Sequence, residues 1–117
     1  YSLYILIIHI LYIKNYYLKM DNKKIRLMID QSIDNINVSL NNREKFTKDR
    51  KLKLIGDKSK IDSTIFLNLI LEIEKNFLNN FKIELNLMEN LNDNIENNFS
   101  LNDLEILIID EIKNVKY

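Results

Sequence analysis

From Asp21 onward, apolar residues recur at the spacing of helical faces. Ile25, Met28, Ile29, Ile33 and Ile36 follow at intervals of 3, 1, 4 and 3, which sets them along one side of a helix. Asp21 stands before them as a cap, so a first long helix is expected over about Asp21–Asn37. The pattern fades after about Leu40. The stretch NNREKFTKDRKLKLIGDKSK, Asn41 to Lys60, has no strong periodic face and reads as a long loop, with Phe46, Leu52, Leu54 and Ile55 free to turn inward. Loops longer than about 12–15 residues in a small domain are usually functional or disordered. Ile65, Phe66, Leu69, Ile70, Ile73 and Phe77 then restore the helical spacing and predict a helix over Ser63–Asn80, with Glu72, Glu74 and Lys75 on its outer face.

Phe81, Ile83, Leu85 and Leu87 alternate with polar residues, the period of an extended segment. A short helix is expected around Leu91–Asn97. Ser100 and Asp103 resemble a capping box with Asp in place of Glu, and Leu101, Leu104, Ile108 and Ile112 follow on one face, predicting a last helix over Leu101–Lys113. The expected fold is all-α: a small bundle of three longer helices plus a short helix, with a long first loop. Ile29, Ile33, Leu69, Ile73, Leu104 and Ile108 should meet in its core.

Composition agrees with this pattern. The chain has 117 residues, 46% of them apolar, enough for one small core. One Gly and no Pro weigh against tight-turn β architectures. With no cysteine there is no disulfide, thiolate metal site or cysteine nucleophile. Net charge is zero but unevenly spread: Met20 to Ile61 carries 11 Lys/Arg against 6 Asp/Glu, and Asp62 to Tyr117 carries 4 against 11. The acidic half steers towards basic partners and away from nucleic acid.

The first nineteen residues, YSLYILIIHILYIKNYYLK, differ from the rest. They have no acidic residue, and their apolar run, Leu3 to Ile13, is broken by His9 and is shorter than the roughly 20 residues of a membrane span. They lack the positive leader and small-residue cleavage site of a signal peptide. The expectation is that translation starts at Met20, that residues 1–19 are an upstream extension or an apolar, disordered leader, and that residues 20–117 form the helical domain. A truncated membrane anchor and a genuine extra strand or helix are the alternatives. His9 has no ligand partner near it in sequence.

Candidate chemistry centres on Asp62-Ser63, which heads the second helical pattern. No histidine follows Met20 to serve as a base for a serine nucleophile, and there is no G-x-S-x-G elbow or phosphate-cradling glycine loop. Glu72 and Glu74, two apart on a helix, diverge and cannot share one substrate as acid and base. Carboxylates are the only metal-ligand inventory after Met20, without EF-hand spacing, and no metal site is expected. The chain reads as a protein without its own catalytic residues. A carrier needs less: an exposed serine at a helix start, where the helix N-terminus favours an attached phosphodiester. Ser32, Ser39, Ser59 and Ser100 lack the combination of a preceding Asp and a following helix.

On these residues the chain resembles the acyl carrier proteins. Their Asp-Ser-Leu signature is matched by Asp62-Ser63-Thr64, their helix II run by FLNLILEIEKNF (Phe66 to Phe77), and the I-x-I segment after it by FKIEL (residues 81–85). GDKSKIDS, Gly56 to Ser63, is similar to the family's approach to the modified serine, and Ser100-Leu101-Asn102-Asp103 echoes the start of its last helix. The resemblance covers about residues 20–115. Thr64 departs from the usual Leu or Met, and NFLNNFKIEL is longer than the family's compact form. The resemblance implies a 4′-phosphopantetheine arm on Ser63, Asp62 in recognition by a phosphopantetheinyl transferase, and acyl- or aminoacyl-loading and transfer enzymes as further partners. Glu72 and Glu74 are expected to contribute an acidic docking stripe for such partners. A cytoplasmic monomer in fatty-acid, polyketide or other secondary-metabolite biosynthesis is expected. The alternatives are a helical adaptor that binds a protein through its acidic helix without a prosthetic group, and a membrane-anchored small protein if residues 1–19 are genuine. The bland reading of Asp62-Ser63 is a helix cap alone.

Overall fold

The computed structural model describes residues 2–18, 20–57, 59–94 and 98–114. The chain runs through five helices: α1 (Ser2–Leu18), α2 (Asn22–Asn37), α3 (Ser63–Phe81), α4 (Leu87–Asn94) and α5 (Leu101–Lys113). The all-helical bundle expected from the sequence is what forms, and three of its helices begin and end within a residue of the expected limits. Among the described residues no helix is long and apolar enough to cross a membrane.

The helices start where side chains satisfy their first free amides. The Asp21 carboxylate accepts from the Lys24 N–H at 2.9 Å to open α2. Ser100 and Asp103 form a reciprocal capping box at the head of α5. At its other end α3 stops on Lys82, in the left-handed region at φ 57°, whose N–H returns to the Leu78 carbonyl. The Ile83 N–H reaches back to Phe77, and the chain leaves at a sharp angle.

The core lies where α2 packs against α3 and α5, with α4 against α3. Ile29, Ile33, Leu69, Ile73, Leu104 and Ile108 are all fully buried there. Phe77 is fully buried, its ring centroid 5.9 Å from that of Phe81. One buried polar pair crosses the α2–α3 seam: Asn76 Nδ2 donates to Ser32 Oγ at 2.9 Å, and Ser32 Oγ donates to the Met28 carbonyl.

One detail differs from the sequence reading. The alternating segment ends sooner than its pattern suggests. Ile83, Leu85 and Leu87 are buried in turn, but Leu87 already begins α4. The short helix expected at Leu91–Asn97 therefore starts four residues earlier and is described to Asn94, residues 95–97 lying outside the described chain. The reason is capping from afar: Glu111 on α5 accepts the Asn86 N–H, and Glu74 on α3 accepts from the Met88 N–H.

At the N-terminus, residues 2–18 form a regular helix. Its described side chains, Ser2 to Tyr12, are all exposed, and none belongs to the core cluster.

The long loop is held firmly. Phe46 and Leu54 are buried, while Leu52 and Ile55 are partly so. Asn37 clasps the Phe46 backbone from both sides, donating to its carbonyl at 2.9 Å and accepting from its N–H at 2.8 Å. The Leu54 and Ile55 amides donate to the Phe99 carbonyl, and those of Leu101 and Asn102 donate to Leu52 and Arg50. Around Arg50 an ion-pair network closes the seam. Glu105, only 6% exposed, receives Nε and Nη2 of both Arg26 and Arg50, and Arg50 Nη1 also meets Asp30 at 2.7 Å. Burial alone would push the Glu105 carboxyl up, but the hydrogen bonds from Arg26 and Arg50 outweigh it and hold it below the usual carboxylate range.

Candidate functional site

The loop so anchored delivers the chain to Ser63. Gly56, the only glycine, takes φ 122°, a value that a side chain would resist. Its carbonyl then accepts the Ser59 N–H at 3.0 Å, and Ser59 Oγ accepts the Ile61 N–H at 3.2 Å. These two turns bring Asp62 into an extended conformation, φ −64° and ψ 140°, which is the backbone of an N-cap.

Asp62 is that cap. Its Oδ1 accepts the Thr64 N–H at 2.7 Å, and its carbonyl accepts the Phe66 N–H at 2.9 Å. Capping thus falls to Asp62 and not to its neighbour. Ser63 is the first residue of α3, exposed, and its hydroxyl makes no hydrogen bond among the described residues. The oxygen therefore stands free at the positive end of a 19-residue helix.

Beside Ser63 lies an open cleft of about 320 Å³, bounded by Leu54 and Ile55 of the loop, by Ile61, and by Phe66 and Leu67 of α3. Its walls are mostly apolar. The cleft exists because the ladder to Phe99 holds Leu54 and Ile55 across from α3.

The two glutamates expected on the outer face of α3 stand on its flanks. Glu72 is turned towards α2, its side chain 17% exposed, where it accepts from Asn35 Nδ2 at 3.1 Å, from Asn76 Nδ2 at 3.4 Å and pairs with Lys75 at 3.7 Å. Glu74 leans the other way, towards α4. Its Oε1 is buried without a hydrogen-bond partner. Burial raises its pKa, the Met88 N–H offsets part of the rise, and the Glu111 charge adds to it. The cause is helical geometry: each glutamate adjoins the buried stripe, Glu72 beside Ile73 and Asn76, Glu74 beside Ile70 and Phe77.

What α3 presents to solvent is mixed, with three leucines among polar residues. Leu67, Leu71 and Leu78 are exposed, together with Asn68, Lys75 and Asn79. Ser63, Leu67 and Leu71 are four residues apart and form one line. The residue signal was present in the sequence, as Leu67 and Leu71 lie off the stripe of Leu69, Ile70 and Ile73, but the sequence reading did not single it out. Among the described residues, no group of three His, Asp or Glu side chains is gathered for a metal ion.

No family model, curated protein or solved structure matches this chain.

Proposed function

We propose that the protein is a carrier. It holds acyl or aminoacyl intermediates as thioesters on a 4′-phosphopantetheine arm attached to Ser63 and presents them to biosynthetic enzymes. The observation that carries this reading is the free, exposed hydroxyl of Ser63 at the first position of α3, with Asp62 already serving as the cap.

In this reading the Ser63 oxygen attacks the pantetheine-bearing phosphorus of coenzyme A within a transferase. The pyrophosphate P–O bond breaks, the adenosine bisphosphate half leaves, and the hydroxyl proton passes to a base of the transferase. The new phosphodiester then lies at the amino end of α3, where peptide dipoles favour negative charge. Chemistry on the cargo takes place at the arm's thiol and belongs to the partner enzymes. Asp62 is assigned to transferase recognition, next to its capping role. The line Ser63–Leu67–Leu71 supports docking through apolar contact along α3, with the half-buried Glu72 and Glu74 at its margins.

The second reading is a helical adaptor without a prosthetic group, and the same exposed leucines favour it, because apolar side chains in a row suit a protein partner. Co-expression with a broad-specificity phosphopantetheinyl transferase, followed by intact-mass measurement, separates the two. The carrier gains one phosphopantetheine; the adaptor stays at its polypeptide mass.

A further inference from the structure

We propose that α1 is a one-leaflet membrane anchor, inserted by its apolar amino-terminal part into a bilayer whose anionic headgroups meet the basic residues that follow. This inference does not rest on the carrier reading. The helix formed by residues 2–18 gives this segment a physical role to test.

The first observation is the amount and distribution of exposed apolar surface. Leu3, Tyr4, Ile5, Leu6, Ile7, Ile8, Ile10, Leu11 and Tyr12 are each between 48% and 69% exposed. Patches of this kind mark interaction surfaces. Six of these residues are consecutive, Leu3 to Ile8, and at roughly 100° per residue they point in every direction around the axis. A protein groove, or a second copy of the chain packed alongside, covers one stripe of a helix. An all-round apolar helix needs an apolar surrounding, which a lipid leaflet supplies.

The second observation is length. Leu3 to Ile13 rises about 16 Å as a helix, roughly half of the ~30 Å hydrocarbon thickness. That matches one leaflet, and no helix among the described residues is long and apolar enough to cross a membrane.

The third observation is charge. Lys14 and Lys19 follow the apolar run, then Lys23 and Lys24 in the first turn of α2, and Asp21 is the sole acidic residue of the first 26. The Asp21 carboxylate is engaged in capping α2, whereas Lys23 and Lys24 are exposed and free of ion pairs among the described residues. Tyr12, Tyr16 and Tyr17 fall at the join between apolar and basic residues, the composition of a headgroup boundary. Basic residues in that position favour anionic lipid.

Vesicle flotation of the full chain tests this, with phosphatidylcholine vesicles alone and with phosphatidylglycerol added. The wild type should float with the anionic vesicles, and Lys23→Gln with Lys24→Gln should weaken that preference. Ile5→Glu with Ile8→Glu should reduce partitioning by about tenfold or more, with helical content retained, because neither residue touches the core. The chain has no tryptophan, so Leu6→Trp is a unique reporter. Its emission should shift to the blue on vesicle addition and be quenched by lipids brominated on their acyl chains. Absence of flotation with either vesicle would overturn the proposal, as would equal partitioning of the wild type and the double glutamate variant. Self-association that the glutamates abolish, without lipid binding, would mean that a second copy covers α1 instead.

Discussion

Glu105→Gln removes one charge from the seam between the long loop and the bundle while keeping the side chain's shape. In the wild type the carboxylate is 6% exposed and takes Arg26 at 3.0 and 3.1 Å and Arg50 at 3.0 and 3.2 Å. Loss of a charged partner from a buried pair costs about 3–5 kcal/mol where the remaining ion is trapped. Arg50 is not wholly trapped: its side chain is 17% exposed and keeps Asp30 at 2.7 Å. Arg26, 57% exposed on its side chain, returns to water and adds little. The expected cost is therefore about 2–3 kcal/mol, close to the loss of one charged hydrogen-bonded contact. For a domain near this size that lowers Tm by about 10 °C or more.

The pH dependence of that cost is set by the direction of the Glu105 shift. Its folded pKa lies below the ordinary value of about 4.3, so its contribution is complete above that value and is lost as pH falls through the folded one. Thermal melts by circular dichroism at pH 7 and at steps into acid, wild type against Glu105→Gln, should show a wide gap that closes as pH falls. A gap below about 2 °C at pH 7, or one that persists unchanged in acid, would refute the reasoning.

Glu74→Gln should act in the opposite sense. The folded pKa of Glu74 is raised, so relative stability is greatest below the unfolded value and is lost as pH rises through the folded one; the amide should gain up to about 1 kcal/mol at pH 7 and less near pH 4, as read by urea titration at both. Asp62→Ala should cost about 0.5–2 kcal/mol by loss of the cap on Thr64, measured by chemical denaturation. Ser63→Ala should lie within about 0.5 kcal/mol of wild type in the same assay, because its hydroxyl has no partner to lose.

Helices α2, α3 and α5 were legible because each has its own punctuation nearby. Asp21, Asp62 and Ser100 cap within three residues of themselves, and the buried faces repeat with the helical period. What escaped was set by residues far apart in the chain. The early start of α4 depends on Glu74 and Glu111, contributed by two other helices. The loop's firmness depends on Arg50 meeting Glu105 across 55 residues, a partner that spacing along the chain does not reveal. At the candidate site, Ser63 and Asp62 stood out by their place before a helix. The docking face did not, since Glu72 and Glu74 look exposed on charge alone, while one step around the helix decides whether a carboxylate faces water or a neighbouring helix.

The central claim is that Ser63 carries the arm. Wild type and Ser63→Ala, each shown by circular dichroism to be folded, are incubated with transferase and coenzyme A, digested, and sequenced by tandem mass spectrometry. The account predicts one phosphopantetheine on the wild-type peptide that contains Ser63, localised to that residue, and none on any peptide of the variant. Modification of both proteins at another residue, or an unmodified wild type with several transferases active on a control carrier, would contradict it.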